Sequence, residues 1–101
     1  MVFVNPHPPR SDLEGLCDAL LSLETRGEMS AFLRDACTIG ELAALGHRLA
    51  AARLLDAGGR TYAEIARAVG TSTTTVTRVA HWLHHGEDGY RLALDRTPET
   101  R

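Results

Sequence analysis

A tight turn at Gly70 between two short helical segments is the sequence feature that most constrains the fold. Ala66, four residues before this glycine, is small enough for two helices to cross closely at that point. Gly70 itself can adopt the positive φ angle that lets the chain reverse direction. Val76, six residues after it, supplies a branched apolar side chain for packing between the helices. These offsets predict a helix-turn-helix made of residues 61–69 and 72–85.

Apolar residues recur at helical spacing along the rest of the chain, and no strand pattern is present. Two of the predicted helices begin with a capping box, formed by Ser11 with Glu14 and by Thr38 with Glu41. The chain is 44% hydrophobic but only 5% aromatic, which favours a core of small aliphatic side chains between packed helices. The six predicted helices cover residues 11–25, 27–36, 38–57, 61–69, 72–85 and 87–96. In the third helix, the residues predicted to face inward are Ile39, Leu42, Leu45, Gly46, Leu49 and Ala52.

The length of 101 residues accommodates one domain. Residues 1–10 are expected to form a flexible arm, residues 11–96 the folded domain, and residues 97–101 a flexible tail. The chain contains no run of about 18 apolar residues and no signal-peptide pattern, so we expect a cytoplasmic protein without a membrane span. In that compartment Cys17 and Cys37 are expected to be reduced packing residues.

The second segment of the predicted helix-turn-helix is rich in hydroxyl groups. Threonine is a mediocre helix former, and a solvated helix surface is normally built from Glu and Lys instead. Short hydroxyl side chains let a helix enter the major groove closely and bind phosphates or base edges. The alternative is that these hydroxyls only cap and solvate the helix. The predicted DNA contacts are Ser72, Thr73, Thr74, Thr77, Arg78 and His81 on this helix, with Thr61 and Tyr62 as contacts to the DNA backbone.

The distribution of charge supports this interpretation, although the net charge is −2. Residues 60–85 contain three arginines, three histidines and a single acid, Glu64. Residues 12–28 contain five acids and one arginine. A positive face on an acidic body is compatible with docking on double-stranded DNA.

The segment CTIGELAALGHRLAAARLLDAGGRTYAEIARAVGTSTTTVTRVAHWLHHGEDGYRLAL resembles the Trp-repressor superfamily, and within it the proteins of the YerC/YecD type. The resemblance covers residues 11–96, and GTSTTTVTRV and GEDGY are its most specific parts. It implies an all-α, six-helix Trp-repressor-like fold that forms an intertwined homodimer. It also implies a transcriptional regulator that recognises a palindromic operator, with half-sites roughly 34 Å apart.

The same resemblance implies a candidate effector site. Two arginines that hold tryptophan in the Trp repressor correspond to Arg48 and Arg78, and Thr38 corresponds to a further pocket position. Val79 stands where that protein has glycine, and a branched side chain there would crowd an indole. Tryptophan is therefore not predicted as the ligand, and no cofactor is predicted. Arg48 would either anchor a different carboxylate or have a structural role by pairing with an acid across the dimer. We favour the structural role, because a lone arginine on a helix is more often structural.

The sequence leaves three other interpretations open. His81 lies one turn from His84 and His85, a spacing that can chelate zinc, but no cysteine or acid joins them and no metal ligand is assigned. A protein-interaction module without DNA binding is supported only by the acidic first helix and the negative net charge. An enzyme is not predicted, because no nucleophile–base constellation is present.

Two residues are given structural roles. Asp88 is expected to cap the last helix, and Trp82 is expected to be an apolar anchor behind the recognition helix.

Overall fold

The computed structural model describes residues 8–98, and within this range the chain forms six α-helices and no strand. The predicted all-α class is therefore confirmed, and the bounds of the last five helices agree with the predicted ones to within two residues. None of the described helices is both long and apolar enough to cross a membrane. The helices are α1 (Pro8–Ser22), α2 (Arg26–Ala36), α3 (Ile39–Ala57), α4 (Tyr62–Val69), α5 (Thr73–His85) and α6 (Gly89–Arg96).

One predicted helix cap is wrong, and a second is only partly correct. Ser11 lies inside α1 rather than at its start, because the helix already begins at Pro8. Proline is well tolerated in a first helical turn, where its missing N–H would have no partner within the helix. Asp88 does precede α6, with a φ angle of 64°, but its side chain makes no capping hydrogen bond. Residues 1–7 of the expected arm and 99–101 of the expected tail lie outside the described residues.

The described residues divide into two units, and the first one ends at Ile39. In this unit Thr25 caps α2, since its hydroxyl accepts a hydrogen bond from the Glu28 backbone amide at 3.0 Å. None of the described side chains from Ser11 to Ile39 is fully buried. Residues 11–39 therefore form no fully buried core of their own.

The second unit, which begins at Gly40, has a well-defined core. Ile65 and Val76 are the largest side chains that are almost completely buried in it. Small alanines on α3 and α4 allow close packing around these two residues. The core residues come from α3, α4, α5 and α6 and are Ala51, Ala52, Ile65, Ala66, Val76, Val79, Leu83 and Leu94.

The inward face predicted for α3 is only partly correct. Ala52 is fully buried as predicted, whereas Ile39 is 88% exposed and Leu45 is 49% exposed. Leu49 is also exposed, at 38%. The core contacts only the C-terminal half of α3, so the N-terminal half presents an apolar surface.

Arginine side chains hold α6 to the end of α3. Arg91 donates two hydrogen bonds to the Asp56 carboxylate, at 2.7 and 2.9 Å, and also binds Asp95. Arg53 donates to the backbone oxygen of Thr97 at 2.7 Å. The Arg91 guanidinium holds the pKa of the Asp56 carboxyl below its usual value by hydrogen bonding to the ionised form. These contacts hold α6 in the position from which it completes the core.

Candidate nucleic-acid interface

The start of α4 is organised by a complete capping box. Thr61 Oγ1 accepts a hydrogen bond from the Glu64 amide at 3.1 Å, and Glu64 Oε1 accepts one from the Thr61 amide at 2.8 Å. Tyr62, the first residue of α4, is 44% exposed. Both predicted backbone-contact residues, Thr61 and Tyr62, thus lie exposed at a helix N-terminus, where the dipole favours phosphate.

The turn between α4 and α5 has the geometry that the sequence predicts. Gly70 adopts a left-handed conformation with a φ angle of 88°. The Ala66 carbonyl accepts hydrogen bonds from the amides of both Gly70 and Thr71, at 2.9 and 3.0 Å. Ala66 is 6% exposed and Val76 is fully buried, so the two helices meet through the predicted pair. The helix-turn-helix is confirmed.

The first turn of α5 is capped by Ser72. Its hydroxyl accepts from the Thr75 amide and donates to Thr75 Oγ1, both at 3.1 Å. The Ser72 donor is therefore engaged within the protein, although the sequence predicts it as a DNA contact. The cap occupies the Thr75 amide, so the first-turn amides left for an incoming phosphate are those of Thr73 and Thr74, which have no carbonyl partner within the helix.

The two sides of α5 differ sharply. Val76 and Val79 face the core and are at most 2% exposed. The predicted contacts on the other side are exposed and recur at helical spacing: Thr73, Thr74, Thr77, Arg78 and His81. The structure thus brings five of the predicted residues to one side of the helix, and their contact with DNA stays a prediction.

Trp82 does not lie behind the recognition helix as predicted, because it is 57% exposed. The buried side of α5 contains Val79 and Leu83. Because a helix turns by about 100° per residue, Trp82 lies at the border between the buried and exposed sides. The His81 ring packs edge-on against the Trp82 indole, with ring centroids 4.8 Å apart. His81 also lies 5.2 Å from His85, but no group of three metal-ligating side chains occurs among residues 8–98.

Two exposed arginines at α4 are missing from the DNA contacts predicted from the sequence. Arg60 precedes the helix, and Arg67 lies in its last turn. Either could bind a phosphate next to the recognition helix. The available signal was the excess of arginine in residues 60–85, which gives the charge of the region but not the orientation of each side chain.

Arg48 of α3 and Arg78 of α5 line the same cavity, as the predicted effector site requires. The cavity has a volume of about 310 Å³. Val79 forms part of its wall, and that this side chain would crowd an indole stays a prediction. Thr38 belongs to the first unit, so its position relative to the cavity stays a prediction. The other lining residues are Thr75, Trp82 and Tyr90.

Comparison with known proteins places this arrangement in a family. The family model described as Trp repressor protein matches residues 11–98. The chain belongs to the Trp repressor family. That family consists of DNA-binding regulators rather than enzymes, in keeping with the helix-turn-helix described above.

Individual relatives agree with this assignment. The uncharacterised protein YerC of Bacillus subtilis (strain 168) is 43% identical over 89 residues, which cover 88% of this chain and 85% of YerC. A TrpR-like protein from Eubacterium eligens ATCC 27750 is 37% identical with a TM-score of 0.82, covering 90% of this chain and 93% of its own. A candidate Trp repressor from Staphylococcus aureus is 38% identical with a TM-score of 0.82, covering 97% and 100%. The predicted Trp-repressor-like fold is confirmed.

Proposed function

We propose that this protein is a sequence-specific transcriptional regulator that recognises a palindromic operator as a homodimer. The observation that carries the proposal is the two-sided character of α5. Its buried side fixes the helix against α4 through Val76, while Thr73, Thr74 and Arg78 are exposed on the other side. A helix held in this way can lie in the major groove with its hydroxyls and its arginine toward base edges.

The homodimer is supported by exposed apolar side chains in each of the two units. Soluble monomers rarely expose large contiguous apolar patches, and homodimer interfaces are more apolar than the rest of a protein surface. Two copies related by a twofold axis would present two α5 helices to a palindromic site. The exposed apolar side chains on α1 and α3 are Leu13, Leu16, Leu21, Ile39, Leu45 and Leu49.

Fluorescence anisotropy with random duplexes at increasing salt tests the DNA-binding part. We expect binding that weakens steeply with salt, because each phosphate contact releases counterions. Arg78→Ala should weaken binding to a selected duplex much more than binding to the random ones, whereas Arg96→Ala removes the same charge from α6 and should leave both nearly unchanged. Absence of binding at low salt, or binding without a salt slope, would contradict the proposal and favour a protein-interaction module.

Control by a small-molecule effector is a second candidate function, which the cavity between Arg48 and Arg78 favours. A ligand bound there would restrain α5, because Thr75, Arg78 and Trp82 in the cavity wall all belong to that helix. Two guanidinium groups suit a carboxylate, and Val79 disfavours an indole.

A thermal-shift screen of small carboxylates, with tryptophan included, tests this second function. We expect a non-aromatic carboxylate to raise the melting temperature of the wild type but not of Arg48→Ala. If no carboxylate raises it, Arg48 has the structural role alone.

A further inference from the structure

The hydroxyl group of Thr77 is already used inside α5. Thr77 Oγ1 donates a hydrogen bond to the backbone oxygen of Thr73 at 2.9 Å. A hydroxyl has a single proton to donate, so this bond consumes the donor. The residue is nevertheless exposed. With Oγ1 bonded to the preceding turn, the methyl group is the part of this exposed side chain that is left for contact with a partner.

The neighbouring hydroxyls are in a different state. Ser72 and Thr75 bond to each other in the helix cap. The hydroxyls of Thr73 and Thr74 are exposed and make no hydrogen bond to any of residues 8–98. The outer side of α5 therefore begins with free polar groups and continues, one turn later, with a methyl group beside Arg78.

We infer that Thr77 recognises the C5-methyl group of a thymine in the operator by apolar contact and donates no hydrogen bond to the DNA. This inference rests on the proposed function. Thymine is the one base that carries a methyl group in the major groove, so an outward methyl on the recognition helix selects for it. Hydrogen bonds to base edges then come from Thr73, Thr74 and Arg78, whose side chains are exposed and donate no hydrogen bond to any of residues 8–98.

The test removes one methyl group at a time from each partner. A duplex is first selected from a random pool by the full-length protein, and each thymine is then replaced singly by deoxyuridine. One position in each half-site should lose affinity for the wild type by about fourfold, the effect of one buried methyl group. Thr77→Ser should bind the original duplex about fourfold more weakly for the same reason. It should lose nothing further at that deoxyuridine position.

Thr77→Val distinguishes the methyl group from the hydroxyl group. It keeps an outward methyl and removes only the hydroxyl, so it should bind the original duplex as tightly as the wild type. Thr74 is the matched control with the opposite expectation, since Thr74→Val should weaken binding and Thr74→Ser should not. Circular dichroism melting curves check that each variant folds.

Three results would overturn the inference. The first is a selected duplex in which no deoxyuridine substitution weakens binding. The second is a loss at deoxyuridine of equal size in the wild type and in Thr77→Ser. The third is weak binding by a folded Thr77→Val. If no duplex is selected at all, the proposed function fails together with the inference, and this outcome is distinct from the other three.

Discussion

Gly70 determines, as a single residue, how α5 is presented. Its φ angle of 88° lies in the left-handed region, and a Cβ built on it would meet no atom within 4 Å. A side chain at this position therefore fits in space, and what it would strain is the backbone. A substitution at Gly70 therefore measures the cost of the backbone conformation without an added steric clash.

Gly70→Val should lower the free energy of unfolding by about 1–2 kcal/mol, the cost of holding a residue with a Cβ in the left-handed conformation. Gly70→Asn should lower it less, since asparagine tolerates that conformation better. Urea denaturation of both variants measures the difference. Equal stability of Gly70→Val and the wild type would contradict the account of the turn.

Arg78 is the exposed residue on α5 best suited to a base edge. If its guanidinium binds a guanine, Arg78→Ala should weaken binding to the selected operator by about 1–3 kcal/mol. Binding to a shuffled duplex should then change much less. Anisotropy titrations on both duplexes give the comparison, and an equal loss on the two would identify Arg78 as a phosphate contact instead.

At the scale of the helices, the ends of most elements could be predicted because their signals are local. Gly70 ends α4 as predicted, whereas the caps at Thr61 and Ser72, which accept hydrogen bonds from amides three residues ahead, were not singled out in the sequence. The start of α1 could not be predicted in the same way. Ser11 carries a capping pattern, but Pro8 offers an equally good first turn three residues earlier, and sequence alone does not rank the two.

The environment of each helix face was less predictable than its ends. Periodicity identifies Leu45 and Leu49 as members of one apolar stripe, but it does not say what covers the stripe. The prediction for Trp82 was wrong for a related reason. Its spacing from Val79 fits a position on the buried side of α5 as well as one at the border between the buried and exposed sides. For the candidate site, the helix period predicted which residues of α5 are exposed. It did not predict the side-chain hydrogen bonds within α5, because the period says nothing about the direction in which a hydroxyl group points.

The contact between α3 and α6 predicts a dependence of stability on pH. The pKa of Asp56 is lowered in the folded state because its ionised carboxylate accepts hydrogen bonds from Arg91. A lowered folded-state pKa stabilises the protein above the usual carboxyl pKa, and this contribution is lost as the pH falls through the folded value. Arg91→Met should therefore be less stable than the wild type at pH 7, and the difference should shrink below about pH 4.

Urea midpoints of the wild type and Arg91→Met between pH 7 and pH 3 test this dependence. Arg96→Met removes a similar exposed arginine from the same helix, and its difference from the wild type should not change with pH. A stability difference for Arg91→Met that stays constant down to pH 3 would contradict the role of Asp56.

At the scale of the whole molecule, the exposed apolar residues predict a dimer. Sedimentation at micromolar concentration should give twice the chain mass of 11.0 kDa. Leu45→Glu should shift the protein toward monomer, because a carboxylate would be buried in an apolar interface. Leu45→Met keeps the apolar contact and should remain dimeric. A wild type that sediments as a monomer would contradict the dimer.

Selection of bound sequences from a random duplex pool tests the central claim most directly, because it examines DNA recognition and twofold symmetry together. The account predicts an inverted repeat whose half-site centres lie about 34 Å apart, one turn of the duplex. Bound pools without any enriched sequence, or enriched sites that lack twofold symmetry, would contradict it.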